Sequence, residues 1–503
     1  MGHPPSYASA VIPEVLAEDR FLWQFWVNKG MKPAPLAATR AALTVPAAST
    51  NWEYIAGNAL YGGFEQEVLR ALRHGGGAGT GVPSDFMERF ARDVAGSRHR
   101  VIPGTSEGRL LVLCASPRML PAEDDEATML ASGRIDWEAL VAAAARGNIT
   151  AAVQHNLSRL KLDVKMPNPL ASVMAARARG IAARNGRVLG LLDEIIGLLK
   201  AHNIRVLLLK ESGLALSHFG NGRLRMMGDI DLLMTESEIE RFVALLESRG
   251  YQSAEVLWTK EHYRVAHHHA APLVQSELAM KIEPHHAIAL PVLPADRRLA
   301  TPALVALMAS RAVRLDAKGW CFTPADTLIH LCLDLFGAAF LGKMGQACDA
   351  REVVRQGGVD WQLLEETAAE LGAEAHLAFS LRLIADLDAP VPAEVIGRLR
   401  AARKPSFGAA RLRKMAERNL FGYVRTTARH SRPAEKLIFR SLLLPASWVG
   451  RVSFLLRRYL YVGWTNEGVG ELGRQAHPST RQALGRILTL PIRALRRWTS
   501  SRQ

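Results

Sequence analysis

The sequence predicts an α+β chain that is predominantly helical, with a small mixed β-sheet core flanked by helical regions. Three observations lead there. The run Gly228-Asp229-Ile230-Asp231-Leu232-Leu233-Met234 alternates as a strand does. Aliphatic or alternating runs at Ile204 to Leu209, Val265 to Val274 and Leu278 to Ile288 supply neighbouring strands. Long stretches rich in Ala, Leu and Arg, among them Trp137 to Ala145 and Leu170 to Lys200, are good helix formers.

Taken in order, residues 1–104 read as an N-terminal helical extension. It carries Phe21, Trp23, Phe25 and Trp26, and its Gly75 to Gly81 stretch reads as a flexible linker. Residues 105–200 form a helical region and 201–300 the sheet core. Residues 301–420 are helical again, with Pro405 near a boundary, and 421–503 make a basic C-terminal tail region. Within the core the pattern is strand, polar turn (Lys210-Glu211-Ser212-Gly213), short helix (Leu214 to Phe219), Gly turn (Gly220 to Gly222), strand. A helix over Glu236 to Arg249 follows, stopped by Gly250.

The acids of the central strand are the first candidate site. Asp229 and Asp231 are two apart, so both point to one face. An apolar strand that holds two like charges together needs a cation against their repulsion and desolvation. Oxygen-only ligands suit Mg²⁺, which keeps coordination positions for phosphate. In the next alternating run Lys281, Glu283 and His285 share one face, opposite Met280 and Ile282. Glu283 is thereby placed as a third carboxylate, and Pro284 after it suggests a sheet edge or a strand break. The turn after Leu209 can aim Lys210 and the backbone N–H groups around Ser212 and Gly213 at phosphate. Arg225 is either a bidentate phosphate contact or a structural partner of Asp229 or Asp231.

These residues resemble the bacterial uncharacterised nucleotidyltransferases of the DNA polymerase beta superfamily. The resemblance lies in the Leu-Leu-Leu-Lys run ending at Lys210, Arg225 to Met234, His267 to Leu273, and Ile282 to His286. Weaker stretches are Ile135 to Leu199 and Thr323 to Trp361, so it spans roughly residues 130 to 400. It implies Asp229, Asp231 and Glu283 as metal-binding and catalytic acids, with Mg²⁺ as cofactor and ATP or another NTP as donor. The mechanism implied is in-line transfer to a small-molecule or protein acceptor that the sequence does not name. Two positions depart from the family. Glu211 stands where it has Gly, placing an acid beside the expected triphosphate, and Asp334 stands where it often has His. The alternative reading is a catalytically inactive nucleotidyltransferase-fold scaffold at the membrane surface.

Other motifs carry less. His262 and His267 to His269 suggest a transition-metal cluster, but strand alternation splits the triplet and no Cys is near. The Gly75 to Gly81 stretch lacks the Gly-Lys-Ser/Thr ending of a phosphate loop. Cys114, Cys321, Cys332 and Cys348 have no metal-ligand spacing and read as buried thiols of a reducing compartment. No leader pattern is visible at Met1 to Ser6, which with a 49% hydrophobic composition suggests a cytoplasmic protein.

The net charge of +15 is unevenly spread. After Glu471 there is no acid, while Arg474, Arg481, Arg486, Arg493, Arg496, Arg497 and Arg502 follow. Leu484, Ile487, Leu488, Leu495 and Trp498 recur near helical spacing. Such a tail fits peripheral contact with an anionic membrane, at the inner face, better than it fits nucleic acid.

Overall fold

The computed structural model describes residues 83–96, 104–217, 224–253, 268–274, 280–288, 302–315, 319–402 and 409–421, with single positions between them. The Phe21 to Trp26 aromatics, Gly75 to Gly81, Gly220-Asn221, His262, His267, Pro405 and the tail from Tyr423 onward lie outside the described residues.

Among the residues from 83 onward that the structure describes, six α-helices precede the sheet: α1 (Ser84–Gly96), α2 (Ser106–Cys114), α3 (Pro121–Ser132), α4 (Trp137–Arg146), α5 (Thr150–Arg159) and α6 (Asn168–Ala201). Their starts follow local chemistry. Thr105 caps α2 by accepting from Gly108 N at 3.2 Å, and Asp136 caps α4 by accepting from Ala139 N at 3.0 Å. Helix α6 runs for 34 residues, and its last half buries Val188, Leu191, Leu192, Ile195, Ile196 and Leu199 at three- and four-residue spacing.

The sheet follows: β1 (Leu207–Leu208), β2 (Asp229–Leu233), β3 (Gln252–Ser253), β4 (Leu273–Val274), β5 (Lys281–His285), β6 (Val313–Arg314) and β7 (Trp320–Cys321). The strand order is β3-β4-β5-β2-β1-β7-β6. Between strands lie α7 (Lys210–Ser217), α8 (Glu236–Glu247) and α9 (Pro302–Ser310). Helix α8 starts in a capping box, with Thr235 N donating to Glu238 Oε2 at 3.0 Å. Then come α10 (Pro324–Gly337), α11 (Met344–Gln356), α12 (Trp361–Leu371), α13 (Glu374–Ala385), α14 (Ala393–Ala401) and α15 (Ala409–Leu420). The α+β, predominantly helical class is therefore the observed one.

The two faces of the sheet pack differently. Leu208, Ile230, Leu232, Met234 and Ile282 join α6 and α8 in one core. Leu207, Leu209 and Leu233 face the larger core, built from α2, α4, α5 and α10 to α13. Asp229 and Asp231 alternate with Ile230 and Leu232 and so lie on the second face.

Several local expectations change. Of Ile204 to Leu209 only Leu207–Leu208 pair as strand, and of Val265 to Val274 only Leu273–Val274. Where a polar turn was expected after Leu209, α7 begins at Lys210 itself. Gly213 permits this, because a Cβ there would meet Leu208 O at 2.7 Å. Pro284 does not mark an edge, since β5 is interior between β4 and β2. Pro284 O accepts from Ala270 N at 2.8 Å, so its missing donor faces the irregular segment beside β4, where no ladder bond is lost. Residues 313–321, expected to be helical, supply β6 and β7; strands of two residues are too short to show alternation.

Cys114, Cys321, Cys332 and Cys348 are all buried and unpaired with one another. Burial pushes the Cys114 thiol up to about 12 and that of Cys321 to about 11. Among the described residues no helix is long and apolar enough to cross a membrane.

Candidate active site

The site is built on two adjacent parallel strands in register. Asp229 lies opposite Lys281, Asp231 opposite Glu283 and Leu233 opposite His285. Lys281 Nζ stands between two acids, 3.2 Å from Glu283 Oε1 and 3.7 Å from Asp229 Oδ2. His269 Nε2 lies 3.6 Å from Glu283 Oε2. Asp231 is fully buried. Its Oδ1 accepts from Lys210 Nζ at 3.1 Å and lies 2.7 Å from His285 Nε2. Its Oδ2 is buried and takes no hydrogen bond from any described residue.

Lys210 reaches Asp231 because α7 starts directly on the sheet. Its φ of +44° is left-handed, which costs a non-glycine residue about 1 kcal/mol or more. The same turn brings Glu211 in. One ligand atom each from Glu211, Asp229 and Asp231 lies within 4.8 Å of the others, and Asp231, Glu283 and His285 form a second such group. Glu211 therefore faces the site rather than away from it. Two ionised carboxylates at that separation repel by about 3 kcal/mol at an effective dielectric of ~20.

Arg225 touches neither Asp229 nor Asp231 in these contacts. Its Nε donates to Asp349 Oδ1 and Oδ2 at 2.9 and 3.0 Å, its Nη1 to Met226 O at 2.9 Å, and its Nη2 to Glu211 Oε1 at 3.0 Å. Asn185 of α6 holds the segment leading to the Asp pair. Its Nδ2 donates to Gly222 O and Arg225 O, each at 2.7 Å, and its Oδ1 accepts from Met227 N at 3.3 Å. Gly213 N–H is spent on Leu209 O at 3.2 Å. Ser212 is buried, and its Oγ has no described partner. The first-turn amides of α7 are those of Lys210 to Ser212.

Among the described residues this network links six carboxylates (Glu211, Asp229, Asp231, Glu283, Asp334, Asp349) and four cations (Lys210, Arg225, Lys281, Lys343). Burial and the charge of Glu283 hold the Asp229 carboxyl above its usual range. Burial raises Asp231 well above its own, outweighing Lys210. Burial lifts Asp349 to about 6 against the pull of Arg225. Burial also works against an ionised Glu283, yet Lys281 and His269 hold its carboxyl well below the usual range. Lys210 is held well above its ordinary value, because Asp231, Asp334, Asp229 and Glu283 outweigh its desolvation. His285 is held neutral by burial and by Lys210.

These donors fit a divalent cation. They are carboxylate oxygens, their charge exceeds that of the surrounding cations, and one buried oxygen lacks a partner. Asp229 and Glu283 fall in two groups that share Asp231, with Lys281 between them, and Glu211 joins the group of the Asp pair. Sequence reading missed Lys281 and Asn185 as parts of the site. The alternation that put Lys281 on the Glu283 face was the available signal for the first; nothing local marked the second.

An acid-lined site on paired strands, closed by a lysine at a helix start, has the donor set of a metal centre. The chain belongs to the family described as uncharacterised nucleotidyltransferase, whose model matches residues 133–387, just over half of its length. No curated protein and no solved structure matches it.

Proposed function

We propose that the chain is a metal-dependent nucleotidyltransferase that moves a nucleotidyl group from an NTP, with ATP as the first candidate, to a small-molecule or protein acceptor. The buried, unpartnered Asp231 Oδ2 among an excess of carboxylates carries this reading. Asp229 and Asp231 would hold Mg²⁺, with Glu283 on the neighbouring strand. When bound, the ion neutralises charge on the donor's phosphates.

The acceptor oxygen attacks the α-phosphorus in line, the bond to the bridging oxygen breaks, and pyrophosphate leaves. Lys210, already among these carboxylates, meets a phosphate oxygen. The first-turn amides of α7 around Ser212 face the same ligand, with the positive end of the helix behind them. Gly213 contributes by its close approach to Leu208 rather than through its own N–H. Arg225 Nη2 is turned to Glu211 in this structure. Glu283, held ionised by Lys281 and His269, would complete the metal site or take the attacking hydroxyl's proton.

The test is purified full-length protein with each labelled NTP and Mg²⁺ against a metabolite extract. We expect a labelled product and pyrophosphate from the wild type and neither from Asp231→Asn. No product with any NTP would reject transfer. It would favour the second reading, an inactive nucleotidyltransferase-fold scaffold, for which Glu211 beside Lys210 is the supporting observation.

A further inference from the structure

We infer that Glu211 is a ligand of the cation held by Asp229 and Asp231, and that Arg225 and Asp349 are positioning residues that fix it there. The inference rests on the metal-dependent reading above and assigns it a third carboxylate from α7.

The geometry leads to this in steps. Glu211, Asp229 and Asp231 bring ligand atoms within 4.8 Å of one another. Independently, Asp231 Oδ2 is buried in that group with no described hydrogen-bond partner. A carboxylate has about four lone-pair directions, so the Oε1 bond to Arg225 leaves Glu211 able to coordinate.

Glu211 is held in this position from behind. Arg225 is fixed by both oxygens of Asp349 and by Met226 O. Gly345 of α11 makes the seat: a Cβ there would lie 3.0 Å from Arg225 Cζ and 2.9 Å from Gly147 O. Asn185 grips the backbone of Arg225 from α6. Helix α11 thus seats the guanidinium and α6 holds the backbone of Arg225, whose Nη2 meets Glu211.

A purely structural role explains less. Asp349 already supplies Arg225 with a counter-charge, both of its oxygens accepting from Nε. Glu211 adds a further negative charge next to two others, and a structural ion pair does not require that. A divalent cation does, because it turns the repulsion into coordination. The same placement answers the objection that an acid here repels the donor, since Glu211 binds the ion rather than facing bare phosphate.

The test uses the full-length chain and Mn²⁺ alone, without nucleotide, with free ion read by electron paramagnetic resonance. Wild type should bind, and Asp231→Asn should abolish binding. Glu211→Gln should weaken Mn²⁺ at least tenfold. Asp349→Asn should also weaken it, yet add nothing in the Glu211→Gln background, because it acts through Glu211. Should Asp349→Asn fail to fold, Arg225→Lys, which keeps charge and loses the separate Nε, Nη1 and Nη2 contacts, takes its place. Undiminished Mn²⁺ affinity in Glu211→Gln overturns the inference while the Asp pair's metal role stands. Additive losses overturn the positioning roles. No Mn²⁺ binding by wild type overturns both this inference and the reading beneath it.

Discussion

Lys281→Met is the most informative single perturbation, because Lys281 substitutes for part of the charge a metal would bring. The substitution keeps the apolar stem and removes the ammonium. Lys281 Nζ lies 3.2 Å from Glu283 Oε1 and 3.7 Å from Asp229 Oδ2. At an effective dielectric of ~20 each contact is worth about 4–5 kcal/mol before the cost of desolvating the ammonium. Breaking a buried pair by removing one partner costs about 3–5 kcal/mol net, since a charge is left uncompensated. With EDTA present, ~3 kcal/mol translates into a melting temperature lower by about 6–12 °C for a domain of this size. Mg²⁺ should then restore more stability to Lys281→Met than to wild type, because binding to the native state alone stabilises by mass action. Differential scanning fluorimetry of both proteins across a Mg²⁺ series decides it. A variant that melts with wild type in EDTA, or gains no more from Mg²⁺ than wild type does, refutes the charge-substitution argument.

Asp229→Asn and Asp231→Asn should each abolish transfer and keep the fold. In EDTA Asp229→Asn should melt slightly above wild type because a like-charge repulsion is gone, and retained turnover in Asp231→Asn would reject its metal role. Glu283→Gln should lower turnover on the order of 10²-fold, and an effect on melting alone would make Glu283 a structural partner of Lys281. His330 is held at about 3 by burial and by Lys210, below its unfolded value near 6.5. Its contribution is present above pH 6.5 and lost as pH falls toward 3, about 2 kcal/mol by pH 5; His330→Leu should flatten that part of the stability profile, while His269 and His285, lowered by burial too, keep the rest. Removing residues 472–503 should remove salt-sensitive pelleting with anionic vesicles, because surface attraction is screened within ~10 Å at 0.1 M salt, and equal pelleting of both chains would reject the tail as the contact.

The Asp pair, its shared face and the placement of Lys281, Glu283 and His285 were legible because period-2 alternation is a local property of the chain. The extent of α8 and its stop before Gly250 were local in the same sense. The Arg225–Asp349 pair was not legible, because it spans 124 positions. Neither was the approach of Glu211 to the Asp pair. The Lys-Glu-Ser-Gly composition reads as a turn, and only the close approach that Gly213 allows makes it the start of a helix. Asn185 lies inside a long helical pattern, where an amide looks like any polar position until the loop it holds is known.

The apolar face of the sheet is what enforces the charged one. A one-residue slip of β5 against β2 would carry Glu283 and Lys281 to the other face and bring Ile282 into the site. Ile230, Leu232 and Ile282 are each 0% exposed, packed under α6 and α8. Burying one such side chain is worth about 1.5–3 kcal/mol. The slip would expose Ile282 and oppose it to acids, and it would insert two charges into an apolar core, each costing several kcal/mol unpaired. Like-charge repulsion at the site, about 3 kcal/mol per pair, is smaller than that combined cost. The register that crowds the acids is therefore held by the residues that alternate with them. The repulsion left over is relieved within the site by Lys210 and Lys281, and in the proposed function by a divalent cation as well.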